Sequence, residues 1–236
     1  MTGKSGNRLR IGIFGGTFDP IHYGHLRLAE EARESFGLEW ILFVPACVPP
    51  HKPKARVAPA LHRLEMVRRA VAGNPHFKVS DLECSRPGAS YSVETLCALR
   101  EAEGARAEFF FLVGLDAFLY IHTWKAYQEL FSMSNWIVMG RPGFGPSGRK
   151  ALPEGLGRVF RYDPAERAWI HPSGHRVFFR RFRCLEISGT EIRGLIGTGR
   201  SARYLVPEDV DTYIRSHGLY GAVGVSVSGE RDHGAK

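Results

Sequence analysis

The chain has 236 residues, of which 44% are apolar and 24% are charged, and its formal net charge is +8. This composition supplies a packed core and excludes a globally disordered chain. No run approaches the roughly 18 apolar residues of a membrane-spanning helix, and the polar N-terminus lacks the apolar segment of a signal peptide. We therefore expect a soluble cytoplasmic protein with no membrane partner.

The first 140 residues alternate between strand-like and helix-like patterns. An apolar run at residues 10–14 ends at Gly15-Gly16, and an amphipathic helical pattern extends from Gly24 to a stop at Gly37. Strand-length apolar runs recur at 40–45, 77–79, 108–113 and 135–140, and helical patterns occupy 61–71 and 92–99. This alternation predicts an α/β fold with a Rossmann-like, doubly wound parallel sheet.

These patterns also make local predictions. Leu61 is expected on the same buried helical stripe as Leu64, and Cys97 is expected to pack in the core. Ser92 is expected to cap the helix that follows it. The four cysteines contain no C-x-x-C pair, so the sequence indicates neither a zinc site nor a disulfide framework.

The positive charge is concentrated in one segment. Residues 141–183 have a net charge of +7, and the rest of the chain has +1. Short strand patterns at 158–162, 168–171 and 176–179 predict a hairpin inside a basic insertion at about residues 143–181. With helices predicted at 190–196 and 207–216, residues 1–220 form one domain. We expect residues 221–236 to be a flexible tail.

The candidate site begins after the first strand with the string GGTFDPIHYGH, residues 15–25. Glycines here let backbone N–H groups approach an anion, and the following helix offers its positive N-terminus. His22 and His25 can both face that end, where imidazoles would stabilise developing negative charge. A tight turn with two incidental histidines is the structural alternative. No third residue has the spacing of a metal ligand.

The string resembles the (T/H)xGH signature of the nucleotidyltransferase superfamily, and residues 187–193 (ISGTEIR) resemble its S-x-T-x-x-R element. Three further segments are similar to bacterial nicotinate-nucleotide adenylyltransferases. They are residues 48–52 (VPPHK), residues 90–96 (SYSVETL), and residues 114–116 (GLD) followed by Trp124. The resemblance spans about residues 10–218. It implies transfer of AMP from ATP to nicotinate mononucleotide, giving deamido-NAD and pyrophosphate in NAD biosynthesis.

The resemblance also implies roles for individual residues. The expected catalytic residues are His22, His25 and Arg193. The expected ATP-binding residues are Gly15, Gly16, Thr17, Phe18, His22, His25, Gly114, Asp116, Ile187, Ser188, Thr190 and Arg193. The expected mononucleotide-binding residues are His51, Lys52, Tyr91, Ser92, Trp124, Lys125 and Arg141. Mg²⁺ is expected to enter with ATP, with no ligand from protein side chains.

Some of these roles can be stated more closely. Asp116 would accept a hydrogen bond from a ribose hydroxyl, and Trp124 would stack on the nicotinate ring. Backbone N–H groups near Ser92 and Lys125 would hold the nicotinate carboxylate. Phosphate oxygens would pair with Lys52 and Arg141.

The chain departs from the family pattern at a few positions. Gly189 stands where serine is frequent, Ser92 replaces a threonine, and Cys47 lies where asparagine is frequent. The first change removes a hydroxyl contact, and the last puts a polar contact to the mononucleotide in doubt.

Two groups of alternatives remain open. The acceptor could be nicotinamide mononucleotide or phosphopantetheine, although phosphopantetheine enzymes lack the Ser90-Tyr91-Ser92 and Trp124 features. A nucleic-acid-binding module that uses the basic insertion is the other alternative. Intact His22, His25 and Arg193 argue against it, so no nucleic acid partner is expected. The sequence leaves the oligomeric state open, including a homo-oligomer.

Overall fold

A computed structural model describes residues 8–50, 57–140, 152–153, 156–183 and 185–222. The strands are β1 (Leu9–Gly16), β2 (Trp40–Pro45), β3 (Phe77–Val79), β4 (Ala107–Gly114), β5 (Asn135–Gly140), β6 (Arg161–Asp163), β7 (Ala168–Ile170) and β8 (Arg176–Arg181). The α-helices are α1 (Tyr23–Phe36), α2 (Ala60–Val71), α3 (Ser92–Glu103), α4 (Leu115–Leu119), α5 (Tyr127–Met133), α6 (Gly189–Gly197) and α7 (Glu208–Ser216).

The strands form one sheet in the order β3-β2-β1-β4-β5-β8-β7-β6. From β3 to β8 every neighbouring pair is parallel. Along the sheet, the strand numbers fall from β3 to β1 and then rise from β4 to β5, so the strand order switches between β1 and β4. A doubly wound fold has such a switch point, and ligands bind there beyond the carboxyl ends of the strands. The α/β fold class predicted from the sequence is therefore confirmed.

Helices cover both faces of this sheet, because alternate side chains of each strand point to opposite sides. In β4, Phe110 and Leu112 pack in a cluster with α1, α2, α6 and α7. The intervening Phe111 and Val113 pack in a second cluster with α3, α4 and α5, in which Trp136 is fully buried. Two apolar cores thus hold the strand ends at fixed spacing.

The predicted hairpin is correct, but its third strand belongs to the main sheet. β8 pairs parallel with β5, with Trp136 opposite Val177, whereas β7 pairs antiparallel with β8 and β6 with β7. Residues 176–179 are therefore part of the central fold and not of an insertion. The reason is burial on both faces, since Val177 packs in one apolar cluster and Phe178 in the other.

Element positions agree closely with the sequence patterns. The runs at 40–45, 77–79 and 135–140 are strands with those bounds. Helix α1 ends before Gly37, whose φ of 57° and ψ of 44° lie in the left-handed region that glycine adopts without strain. Pro207 immediately precedes α7 as its N-cap. No helix in the described parts of the chain is long and apolar enough to cross a membrane.

Three local predictions were wrong. Leu61 is 75% exposed, because the buried face of α2 is centred on Arg63 and Val67. Cys97 is exposed, since the buried face of α3 includes the polar Thr95 and turns away from Cys97. Tyr91, not Ser92, is the N-cap of α3, and no side chain caps that helix. Residues 223–236 of the predicted tail lie outside the described residues.

Candidate active site

A cavity of about 400 Å³ lies at the carboxyl ends of β1, β2 and β4. Its lining includes nine residues predicted for the site: Gly15, Gly16, Thr17, Tyr91, Ser92, Gly114, Asp116, Trp124 and Lys125. These residues come from four separate segments of the chain. The sheet topology brings them together, because parallel strands end at the same edge.

Part of the cavity lining is apolar and aromatic. Ile13, Phe111 and Val113 contribute to it, and the ring of Trp124 stands edge-on to Phe111, with centroids 6.2 Å apart and an interplanar angle of 71°. Trp124 also contacts the buried Trp136 at 6.3 Å. An indole held from two sides in this way offers a fixed aromatic surface for a planar ligand ring.

The mouth of the cavity is bridged by an ion pair between α3 and the segment before α5. Lys125 Nζ lies 2.7 Å from Glu94 Oε1 and 4.5 Å from the centre of the Tyr91 ring. The hydrogen bond with Glu94 raises the pKa of Lys125 and lowers the pKa of Glu94. The Lys125 ammonium group is thus held by contacts within the protein.

The N-terminus of α3 supplies backbone N–H donors. Tyr91 O accepts hydrogen bonds from the N–H groups of Glu94 and Thr95. At any helix start the first N–H groups have no intrahelical carbonyl to bind, which here applies to Ser92 and Val93. Ser92 lines the cavity, so this helix end can bind an anionic group of a ligand.

The two histidines lie at the start of α1. Their rings are stacked with centroids 3.7 Å apart, and the His22 N–H donates to His25 Nδ1 at 3.3 Å. Because Nδ1 accepts this hydrogen bond, the proton of the neutral His25 imidazole is on Nε2. His25 therefore carries an N–H donor at Nε2. His22 is 6% exposed.

Phe18 is part of the core and not of the cavity surface. Its side chain is 2% exposed and packs edge-on against His25 at 5.1 Å. A side chain at Gly16 would place its Cβ 3.0 Å from the Phe18 ring, which accounts for glycine there. Only the backbone of Phe18 is available to a ligand, and its φ of 48° forms the tight turn before the histidines.

Helix α6 packs its N-terminus against this turn. Ser188 caps the helix with its side chain, and Arg193 Nη1 donates to the carbonyl oxygen of Asp19 at 2.6 Å. Arg193 Nη2 also lies 3.3 Å from Thr190 Oγ1. A Cβ at Gly189 would lie 2.8 Å from the Asp19 carbonyl oxygen. The departure to glycine at this position therefore permits a close approach between the two segments.

Asp19 was not predicted as a site residue, yet it connects three segments. It is 7% exposed, and its Oδ1 accepts hydrogen bonds from Tyr220 Oη at 2.7 Å and from the Ala58 N–H at 3.2 Å. Its Oδ2 lies 3.5 Å from Arg193 Nη1. Burial and the negative charge of Asp19 raise the pKa of Tyr220, which therefore remains a hydrogen-bond donor.

Arg63, on α2, was also missed. It is 1% exposed, and its guanidinium donates to the carbonyl oxygens of Ala58 at 2.9 Å, Thr17 at 2.8 Å, Ala46 at 2.6 Å and Cys47 at 2.9 Å. Burial lowers its pKa, and the nearby Asp19 carboxylate opposes this effect. In the sequence its only signal is its position on the stripe of α2 that also carries Val67.

Some predicted residues do not line the cavity. His22, His25, Ser188, Thr190 and Arg193 lie along the turn and α6, beyond Thr17. Ile187 packs beside the apolar cluster that contains α6. The predicted mononucleotide-binding residues His51, Lys52 and Arg141 lie outside the described residues.

Comparison with known proteins identifies the family. The family model described as cytidylyltransferase-like matches residues 13–195. Two relatives, from Pelobacter propionicus and Geotalea daltonii, carry the name "Probable nicotinate-nucleotide adenylyltransferase". They are 46% and 47% identical over 213 residues, which cover 90% of this chain and 98% of each relative. The chain belongs to the cytidylyltransferase-like family and, within it, to the nicotinate-nucleotide adenylyltransferases.

Solved structures of adenylyltransferases share the fold at low identity. The Plasmodium falciparum nicotinic acid mononucleotide adenylyltransferase, complexed with NaAD, superposes with a TM-score of 0.69 at 19% identity, over 89% of this chain and 97% of that one. The same enzyme complexed with APC gives a TM-score of 0.68 at 18% identity, over 90% and 98% of the two chains.

The buried guanidinium of Arg63 makes a testable contribution to stability. Arg63→Met keeps an unbranched apolar stem but removes the guanidinium that donates to four carbonyl groups. We expect it to lower the free energy of unfolding by about 3 kcal/mol or more, as measured by urea denaturation. Arg68→Met on the same helix is the control. The Arg68 side chain is 52% exposed, and its loss should cost less than about 0.5 kcal/mol. Equal effects of both variants would contradict this role.

Proposed function

We propose that this adenylyltransferase transfers AMP from ATP to nicotinate mononucleotide, giving deamido-NAD and pyrophosphate. One observation carries the proposal. A single cavity combines an aromatic surface, a helix N-terminus and the glycine turn, residues 15–18, which leads to the two histidines. These are the features needed to hold a pyridine ring, its carboxylate and a chain of phosphates side by side. The names of the relatives support the same reaction.

The mononucleotide would occupy the part of the cavity between Trp124 and α3. The nicotinate ring stacks on Trp124 beside the apolar part of the lining. Its carboxylate accepts hydrogen bonds from backbone N–H groups near Ser92 and Lys125, where the helix N-terminus favours negative charge. We propose, from the family resemblance, that Lys52 and Arg141 pair with phosphate oxygens of the substrates.

ATP would lie across the end of β1. The N–H groups of Gly16 and Thr17 and the Nε2–H of His25 donate to its phosphate oxygens, with His22 beside them. Arg193 adds a fixed positive charge from α6, and Asp116 accepts a hydrogen bond from the ribose. Arg193 is already hydrogen bonded to the carbonyl oxygen of Asp19, in the turn before the histidines. The arginine and this turn are therefore positioned before ATP binds.

The chemistry needs no protein nucleophile. An oxygen of the mononucleotide phosphate forms a bond to the α-phosphorus of ATP, and the bond from that phosphorus to the bridging oxygen of pyrophosphate breaks. The attacking oxygen already carries negative charge, so no base has to remove a proton. Catalysis then consists of alignment and of stabilising charge on the phosphate oxygens. Mg²⁺ bound to ATP would neutralise charge on the phosphate oxygens, and no protein side chain is predicted to hold it.

Two arginines of the basic segment, residues 141–183, form contacts within the protein. Arg176 forms an ion pair with Glu166. Arg180 donates to the backbone carbonyls of Glu166 at 3.1 Å and Arg167 at 3.0 Å. These contacts use guanidinium donors that would otherwise bind the phosphates of a nucleic acid, which favours the enzymatic function over a nucleic-acid-binding module.

Removal of one histidine tests the catalytic role of the turn. His22→Ala should leave the fold intact and lower kcat by about 10²–10³-fold, because the variant loses the imidazole that is stacked on His25 beside the proposed phosphate site. His76→Ala is the matched control, since His76 is exposed at the start of β3. Pyrophosphate release gives the rate, and circular dichroism checks the fold. A folded His22→Ala enzyme with near-normal turnover would refute the assignment.

Substrate competition tests the acceptor. Pyrophosphate release from ATP is compared for nicotinate mononucleotide, its amide and phosphopantetheine. Because a neutral carboxamide gains less from the N-terminus of α3, we expect kcat/KM for the acid to exceed that for the amide by at least about tenfold. A preference for the amide or for phosphopantetheine would overturn the substrate assignment.

A further inference from the structure

A buried carboxylate lines the cavity without a role in the proposed reaction. Glu83 is 8% exposed and lies in the segment before α3. Its Oε1 accepts a hydrogen bond from Thr95 Oγ1 at 2.6 Å. Burial raises the pKa of the Glu83 carboxyl, and the hydroxyls of Thr95 and Ser90 and the charge of Arg86 oppose this effect. Burying a carboxylate is costly, so these two hydroxyls must offset the loss of water around it.

The two hydroxyls belong to different parts of the cavity wall, since one contacts the turn after β2 and the other lies on α3. Ser90 Oγ accepts the N–H groups of Cys47 at 2.9 Å and Val48 at 3.2 Å, in the turn after β2. Thr95, which is 1% exposed, lies in the first turns of α3. Glu83 therefore lies between the turn that follows β2 and the helix that begins at Ser92.

The direction of each hydrogen bond follows from counting protons. A serine hydroxyl has one proton, and the oxygen of Ser90 already accepts two N–H groups, so its proton is directed to Glu83. Thr95 Oγ1 accepts from Arg86 Nη2 at 3.1 Å and donates its own proton to Glu83. Both protons thus point to the Glu83 carboxyl, whose two oxygens accept them when it is ionised, whereas an amide of the same shape has only one accepting oxygen.

We propose that Glu83 is a positioning residue for the mononucleotide: by accepting the hydroxyls of Ser90 and Thr95, it fixes the turn after β2 and the N-terminus of α3 at the separation that the mononucleotide requires. This inference rests on the proposed function. Glu83 acts through its neighbours and contacts no reacting atom. Its influence is confined to the mononucleotide, since the ATP phosphates lie along the glycine turn and α6.

Glu83→Gln is the direct test. The glutamine side chain has the same volume, but only its oxygen accepts a hydroxyl proton. Its NH₂ group points N–H protons at the other hydroxyl, so one of the two hydrogen bonds is lost. We expect KM for the mononucleotide to rise about tenfold or more, with KM for ATP within about twofold and kcat within about threefold of the wild type. An unchanged KM for the mononucleotide, or an equal rise of both KM values, would overturn the proposal.

Thr95→Val removes the hydroxyl and keeps the shape of the side chain, and it should also raise KM for the mononucleotide. This variant tests the proposal if Glu83→Gln fails to fold. The double variant should show no larger effect than the stronger single variant, because both changes break one network. Effects that multiply independently would contradict the proposal. Glu101→Gln, on the exposed face of α3, is the control and should match the wild type.

Wild-type kinetics with the acid and the amide separate the substrate assignment from the positioning role of Glu83. A preference for the amide overturns the acid as substrate. The role of Glu83 is judged by the ratio of variant to wild-type KM for whichever mononucleotide the wild type prefers.

Discussion

The arrangement of this site depends on one buried guanidinium. Parallel strands end with their loops at the same edge of the sheet, and the backbone carbonyls of those loops need donors once they are buried. Arg63 supplies donors to carbonyls of the glycine turn, of the segment after β2 and of the segment before α2. Since a guanidinium holds its donors in one plane, it fixes these segments relative to one another as well as satisfying them.

The remaining polar contacts extend this arrangement in two directions. On the side of the histidines, Asp19 joins the turn to Ala58 and Tyr220 and lies against Arg193. On the side of the aromatic surface, Glu83 joins the segment after β2 to α3 through two hydroxyls. The segments proposed to touch the two substrates are therefore held by buried polar side chains, and the apolar cores on the two faces of the sheet fix the strands.

The sequence predicted the sheet well because apolar periodicity reports burial directly, as at β2 and β5. It predicted the cavity residues through motifs placed after strands. It did not reveal Arg63, Asp19 or Glu83, because the role of a single polar residue depends on which segments reach it in the folded chain. β8 was misassigned for a related reason. Its apolar core of Val177 and Phe178 is flanked by arginines, which made it resemble the surrounding basic segment.

The central claim is that aligned substrates react directly at the α-phosphorus, with no covalent bond to the protein. The stereochemistry at that phosphorus tests this claim most directly. ATP with sulfur in place of one non-bridging oxygen of the α-phosphate, in a single configuration, is turned over with the preferred mononucleotide, and the configuration of the product is determined. A single in-line displacement predicts inversion at phosphorus. Retention would require two displacements through a protein nucleophile and would contradict the account.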